Sequence, residues 1–364
     1  MDNQQAFEPD APIRCKDFRV GCIGAGFIMA DVQLDAYRKA GFPVTAIASR
    51  SPDHAREVAR RWDIPTSHNT PAALIEDDSV DIVDIAYPPD QQAALISHAL
   101  RQPHIKGILA QKPLAMDFEA SKRVVEEAEA AGKPLSVNQN MRYDQSMRVL
   151  RQLIDRGELG DVVTATIEMR AVPHWQSFLA DYDRLTLLNM SIHHLDVLRF
   201  LLGEPENIYT AARQDPRTAF RHTDGICAST IRFRSGVLAH SLEDVWTGPI
   251  DKGVDSDIYI KWRVEGTEGL AWGTIGWPDY PDGSPSTLNY CSTNTDGQWR
   301  QPTWETRWFP DAFGGVMEQL QYALATGSEP ALTGRDNLRT MALVEAGYRS
   351  MQEGRAVKLS EFGF

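Results

Sequence analysis

A strand, a glycine turn and a helix follow one another without a linker between residues 18 and 41. Phe18-Arg19-Val20-Gly21-Cys22-Ile23 reads as a strand, Gly24-Ala25-Gly26 comes next, and Phe27 to Ala40 runs on with helical character until Gly41 stops it. A strand that feeds straight into a helix sends that helix back across its own sheet, and repetition of the unit builds a parallel sheet. Gly24 allows the tight turn, Gly26 lets a pyrophosphate approach the backbone, and the positive end of the helix faces its charge. The third position of this phosphate-binding fingerprint is Met29 instead of glycine, which predicts looser packing of helix on strand.

The alternation continues. Val44 to Ala48 is a second strand, and Ser51-Pro52 starts a helix with Ser51 as its N-cap. A protein that binds NAD usually has an acid at the end of this strand for the ribose hydroxyls. Ser49 and Arg50 stand there instead, a hydroxyl and a fixed cation that suit a 2′-phosphate, so NADP is the expected cofactor, with NAD the other choice. Thr70-Pro71 opens a short helix. Asp81 to Ala86 is a strand that ends in the stiff turn Tyr87-Pro88-Pro89, and Gln91 to Gln102 is helical. Ile108-Leu109-Ala110 then runs into Gln111-Lys112-Pro113, where the proline keeps the lysine extended at a strand end. Asp117 caps a helix through Ala131, and Leu135 to Asn140 is the next strand. Right-handed crossovers carry these strand ends to one edge, so Gly24, Ser49, Tyr87, Lys112 and residues 138–140 are expected to line one crevice.

At 364 residues the chain has room for two domains with real cores. Its formal charge of −13 argues against nucleic acid or an anionic membrane as the main partner. Cys15, Cys22, Cys227 and Cys291 are too scattered for a zinc ribbon or a redox pair, which fits reduced thiols in the cytoplasm. The first sixteen residues are polar and broken by proline; they read as a loose arm or partner-swapping extension, not a signal peptide.

Beyond Asn140 the pattern changes. Asp144 to Arg156 is an amphipathic helix. Val162 to Ala171, Asn207 to Gln214, Gly225 to Arg234, Val237 to Trp246 and Ile258 to Gly266 read as strands joined by hairpin-like turns, which predicts a largely antiparallel sheet in an α+β domain. Residues 274–303, rich in Gly, Pro, Asn, Asp and Trp, read as a long irregular excursion. Two helices close the chain, near Asp311 to Thr326 and Arg335 to Glu353. Thr186 to Leu202 is apolar almost all round, as in a buried helix, yet Asn189, His193 and Asp196 recur at spacings of four and three and form one polar stripe. That stripe is either a satisfied structural network or the wall of a cleft. No metal site is expected: His193 and His194 point about 100° apart on a helix and cannot easily share an ion.

Together these segments resemble the Gfo/Idh/MocA family of NAD(P)-dependent oxidoreductases over about residues 18 to 358. The resemblance rests on Gly24-Ala25-Gly26-Phe27-Ile28, Gln111-Lys112-Pro113, His193-His194-Leu195-Asp196 with Arg199 and Gly203, and the closing helix from Asp336-Asn337-Leu338 to Ala346. It implies a Rossmann doubly wound parallel sheet followed by an α+β domain with a large, mostly antiparallel open sheet that often forms an oligomer interface. The expected division is an arm at 1–16, a dinucleotide-binding domain at 17–141, a substrate and oligomerisation domain at 142–334, and a helix and tail at 335–364 packing back between them. Homodimers or homotetramers are expected, and substrates that are sugars, polyols or related hydroxy or keto compounds.

Carried over by position, Lys112 matches the active-site lysine of the family and His193 its catalytic histidine. Asn189 stands where most members have an acid, and Gln111 where many have Glu. Asn189 orients His193 but cannot stabilise an imidazolium by charge. The cofactor set is then Gly24, Gly26, Phe27, Ile28, Ser49, Arg50, Tyr87, Gln111 and Lys112. Asn140, Arg142 and Tyr143 are placed to grip substrate hydroxyls, with His174 and Trp175 to stack on a sugar face. Three alternatives stand beside a sugar dehydrogenase: an NAD-retaining glycoside-processing or epimerising enzyme, a catalytically silent NAD(P)-binding sensor, and a diol dehydrogenase with an apolar pocket.

Overall fold

The computed structural model describes residues 6–171, 177–245, 258–276 and 283–364. By contact the chain forms two compact units. One holds residues 11–143 and 309–341, the other residues 6–10, 144–308 and 342–364 within the described ranges.

The first unit is built on six parallel strands: β1 (Val20–Ile23), β2 (Val44–Ala48), β3 (Thr66–His68), β4 (Ile82–Ile85), β5 (Gly107–Gln111) and β6 (Leu135–Asn138). Their order is β3-β2-β1-β4-β5-β6, a doubly wound sheet whose direction of winding reverses between β1 and β4. β1 and β4 are buried at every position, as central parallel strands covered on both faces must be. The crossovers carry α1 (Leu34–Ala40), α2 (Pro52–Trp62), α3 (Pro71–Ile75), α4 (Pro89–Leu100) and α5 (Phe118–Ala130). Ser51, Thr70 and Asp117 accept backbone N–H bonds at the starts of α2, α3 and α5, as their sequence positions require.

The helix after the glycine turn departs from expectation. Its first part, Ile28–Gln33, is a π turn, and only Leu34–Ala40 is α-helical. Met29 is 1% exposed. A wider turn accommodates a long side chain where glycine would have let an α-helix sit close to the strand. Residues 309–341 add α8 (Ala312–Thr326) to this unit, where Leu320 and Leu324 cover Gly107 at the start of β5.

The second unit is built on α6 (Gln145–Asp155), α7 (Ile192–Leu202) and an eight-stranded sheet of β7 (Val162–Ala171), β8 (Pro205–Arg213), β9 (Ile226–Phe233), β10 (Leu238–Val245), β11 (Tyr259–Gly266), β12 (Gly269–Ile275), β13 (Thr287–Ser292) and β14 (Val357–Lys358). The order is β13-β12-β11-β7-β10-β9-β8-β14, antiparallel except where β10 lies parallel to β7. The expected irregular excursion at 274–303 contains a strand. In β13, Leu288, Tyr290 and Ser292 are buried in alternation and pair with β12, a period-two signal that the Asn- and Gly-rich surroundings obscured. The closing helix α9 (Gly334–Glu353) passes from the first unit into the second. No helix among the described residues is long and apolar enough to cross a membrane.

Candidate active site

The carboxyl ends of the parallel strands bring one group of the expected residues to a single sheet edge. Gly24 follows β1 with φ +117°; an added Cβ would stand 2.3 Å from the Ala86 carbonyl oxygen, so only glycine fits. Two hydrogen bonds lace the turn to its neighbours, Gly24 N–H to the Ala48 carbonyl and Ala86 N–H to the Ile23 carbonyl, both 2.8 Å. At Gly26 the situation is the reverse, because a Cβ there would meet no atom within 4 Å. Phe27, next in line, is 37% exposed, and Ile28 begins the π turn.

Ser49 and Arg50 end β2. The Ser49 hydroxyl donates to the Ser51 carbonyl at 2.6 Å. A hydroxyl rotates, so this carbonyl and a 2′-phosphate would compete for its one proton, while Arg50 adds fixed N–H donors. Arg50 is exposed and close enough to Tyr87 for its charge to favour the phenolate, although burial still holds the phenol above its usual range.

Gln111 and Lys112 end β5, and the Lys112–Pro113 peptide bond is cis. Burial lowers the Lys112 pKa to about 7. Asn138, Gln139 and Asn140 are at most 3% exposed. Asn140 donates to Asn138 Oδ1 at 3.1 Å, while Asn138 Nδ2 and both amide atoms of Gln139 have no hydrogen-bond partner among the described residues. Arg142 and Tyr143, expected to grip substrate, have partners in the protein. Arg142 bonds Asp336 at 2.7 Å. The Tyr143 ring lies against Gly315 of α8, where a Cβ would be 2.4 Å away.

Asn189 and His193 belong to the antiparallel-sheet unit. The helix that carries them is not uniform: Leu187–Ser191 is a π turn, and α7 begins at Ile192. The wider π turn thus changes the angular step per residue ahead of His193. Asn189 is 6% exposed and His193 half-buried, its ring meeting Trp308 edge to face at 5.9 Å. Asp196 is 1% exposed and lies 3.9 Å from Arg199. His194 is fully buried with Nδ1 2.7 Å from Glu243.

Asp224 takes the N–H groups of Leu185 and Leu187, each at 2.8 Å, and the Tyr348 hydroxyl at 2.8 Å. The same hydroxyl accepts the Leu188 N–H at 3.1 Å, so this pair clamps the entry to the Asn189 turn. Burial raises the Asp224 pKa. Trp308, Asp224 and Tyr348 carry no local sequence signal, because their partners lie far along the chain. His174 and Trp175 lie outside the described residues. Among the described residues no group of three or more His, Cys, Asp or Glu is arranged to hold a metal.

Comparison with known proteins settles the family. Residues 18–139 match the model of the GFO/IDH/MocA oxidoreductase family with an NAD-binding Rossmann fold, and residues 147–271 match a GFO/IDH/MocA C-terminal domain. The chain belongs to the GFO/IDH/MocA family. A D-apiose dehydrogenase of Rhizobium rhizogenes is 27% identical over 350 residues, covering 93% of this chain and 96% of the relative. A D-xylose 1-dehydrogenase (NADP(+)) of Haloferax volcanii is 26% identical, covering 93% and 99%. An oxidoreductase from Agrobacterium radiobacter, solved with NAD+, L-tartaric acid and magnesium, shares the fold with a TM-score of 0.79 at 23% identity, covering 95% of this chain and 99% of that one.

As a GFO/IDH/MocA oxidoreductase the protein takes NAD or NADP. The parallel-sheet edge fits such a dinucleotide. Gly24 keeps the turn flat against β4, Gly26 leaves space at the start of the helix, and buried amides at 138 and 139 stand ready for an incoming polar group.

Proposed function

We propose that the protein is a dehydrogenase of CH–OH groups on a sugar, polyol or related hydroxy or keto compound, with Lys112 and His193 at the reacting oxygen. The observation that carries this reading is Lys112. It stands at the carboxyl end of β5, the position where open parallel sheets bind ligands, and burial holds its amine near neutrality. The relatives named above act on apiose and xylose, which supports a carbohydrate substrate.

Bound at the Gly24–Gly26 turn, the nicotinamide dinucleotide supplies the hydride chemistry. The chain supplies the rest. In oxidation His193 takes the hydroxyl proton, and in reduction it returns it. Lys112, as ammonium, donates a hydrogen bond to the same oxygen and stabilises negative charge developing there. Asn189 orients His193 without lending it a charge. Lys112 keeps its proton only below about pH 7, so turnover that depends on the ammonium falls as pH rises through that value.

Arg50 favours NADP over NAD, and Asn140 is the polar group at the end of β6 assigned to substrate. The outward face of the eight-stranded sheet exposes Tyr209, Leu238 and Trp272, which supports its being covered by a second copy in a homodimer or homotetramer.

The test is a panel of aldoses, ketoses and polyols with NAD and with NADP. Lys112→Met and His193→Ala are each expected to lower kcat by about a thousandfold on the best substrate, the range lost when a charge stabiliser or proton carrier is removed. Wild-type turnover in either variant sinks its assignment. A preference for NAD that survives Arg50→Ala sinks the NADP assignment, and a monomer at micromolar concentration in sedimentation sinks the oligomer.

A further inference from the structure

β4 reads Ile82-Val83-Asp84-Ile85, and a carboxyl group in the middle of a buried parallel strand calls for an explanation. Asp84 is 1% exposed between neighbours that are wholly buried. Two side chains donate to it, both on one oxygen, Oδ2: Gln33 Nε2 and the Tyr37 hydroxyl, each at 2.7 Å. Neither donor is charged, and burial pushes the Asp84 carboxyl up to about 7. If filling space were the whole task, an apolar side chain would do it without the cost of desolvating a carboxyl.

The bonds lead somewhere. Gln33 is fully buried and ends the π turn that begins two residues after Gly26. Its Oε1 accepts from Gln111 Nε2 at 3.4 Å, and Gln111 Oε1 accepts the backbone N–H of Lys112 at 3.2 Å. Gln92, also fully buried, braces the same segment from α4. It accepts the Gln111 N–H at 2.8 Å and donates to the carbonyls of Gln111, Pro113 and Leu114 at 2.7, 3.1 and 3.2 Å. One continuous set of hydrogen bonds thus runs from the strand centre, through the helix that follows the glycine turn, to the backbone of the lysine.

We propose that Asp84 and Gln33 are positioning residues: they hold Gln111, and through it Lys112, in register with the glycine turn. In this arrangement Gln111, expected from the sequence to contact the cofactor, spends its side chain on the lysine and on Gln33. The proposal rests on the assignment of Lys112 to the reacting oxygen, and the test separates the two.

Asp84→Asn, Gln33→Leu and Tyr37→Phe are compared with wild type by kcat, by dinucleotide Kd from fluorescence, and by the pH midpoint of Lys112. That midpoint is read by NMR after reductive 13C-methylation, with Lys112→Arg identifying the signal. Asp84→Asn and Gln33→Leu are expected to lower kcat about tenfold, with Kd within about threefold, since a displaced reacting group costs rate more than affinity. The Lys112 midpoint moves up towards the ordinary lysine range as water reaches a loosened segment. Tyr37→Phe removes one of the two bonds to Asp84 and gives a smaller change in the same direction, which decides the matter with Gln33→Leu if Asp84→Asn does not fold. The proposal is overturned if folded variants keep the wild-type Lys112 midpoint, or if dinucleotide affinity alone changes. If Lys112→Met keeps full turnover, the catalytic assignment fails, while the midpoint still reports whether Asp84 and Gln33 hold the lysine.

Discussion

The edge of the parallel sheet and the helix of His193 hold their polar groups in different ways. At the sheet edge each group ends or follows a strand, so its place is set by where the strand ends: Gly24 after β1, Ser49 after β2, Gln111 at the end of β5 and Lys112 just after it. On the His193 helix the groups sit in a segment whose geometry changes from π to α at Ile192, and remote side chains set that change in place. Asp224 and Tyr348 bind its first N–H groups, and Trp308 meets the imidazole. Substitutions at the sheet edge should therefore act locally, through sterics at a given turn. Substitutions around the helix should act at a distance, through stability and orientation together.

The sharpest way to break the contrast is at the two glycines. Gly24→Ala puts a methyl 2.3 Å from the Ala86 carbonyl oxygen at a left-handed φ, and soluble folded protein is expected to be lost. Gly26→Ala adds a methyl that meets nothing within 4 Å. The melting temperature should hold within about 2 °C while dinucleotide affinity falls about tenfold or more, because the methyl fills the space through which the pyrophosphate approaches. If Gly26→Ala also fails to give soluble folded protein, or calorimetry finds its transition much lowered, the local account of the sheet edge is wrong.

On the helix side, Tyr348→Phe removes a hydroxyl that donates to Asp224 and accepts from Leu188. It should cost about 1–2 kcal/mol in denaturant unfolding, the worth of a lost buried hydrogen bond with a partner left behind. It should also lower kcat, although the hydroxyl bonds the entry to the Asn189 turn and not the imidazole. A loss of stability with unchanged kcat would separate the clamp from the chemistry.

The smallest effect concerns pH. Between about pH 4, the ordinary carboxylate value, and about 7, the folded protein keeps a proton on Asp84 that the unfolded chain has lost. Raising pH across that window therefore favours unfolding. Asp84→Asn, which cannot titrate, should flatten this part of the stability curve, measured as the urea midpoint at pH 5 against pH 7. An equal slope in variant and wild type would mean that Asp84 is already ionised at pH 5.

Much of this architecture was legible in short stretches of chain. Strand, glycine turn and helix, repeated with capped helix starts at Ser51, Thr70 and Asp117, specify a parallel sheet because these signals act within a few residues of one another. Lys112 beside Pro113, and His193 in an apolar helix, stood out for the same reason. What remained hidden needed a distant partner. Asp84 lay unremarked inside the strand read from Asp81 to Ala86, and nothing nearby showed its bonds to Gln33 and Tyr37; Arg142 showed no sign that it would bond Asp336, nor Ser49 that its hydroxyl would donate to Ser51. The attachment of α8 to the first sheet was equally invisible, since Leu320 and Leu324 find Gly107 from more than two hundred residues away. Backbone conformation is chosen mainly by neighbours along the chain, and so the elements and their order could be read directly. Which buried polar group meets which is chosen by desolvation, and that cost is set only when the folded chain has brought remote segments together.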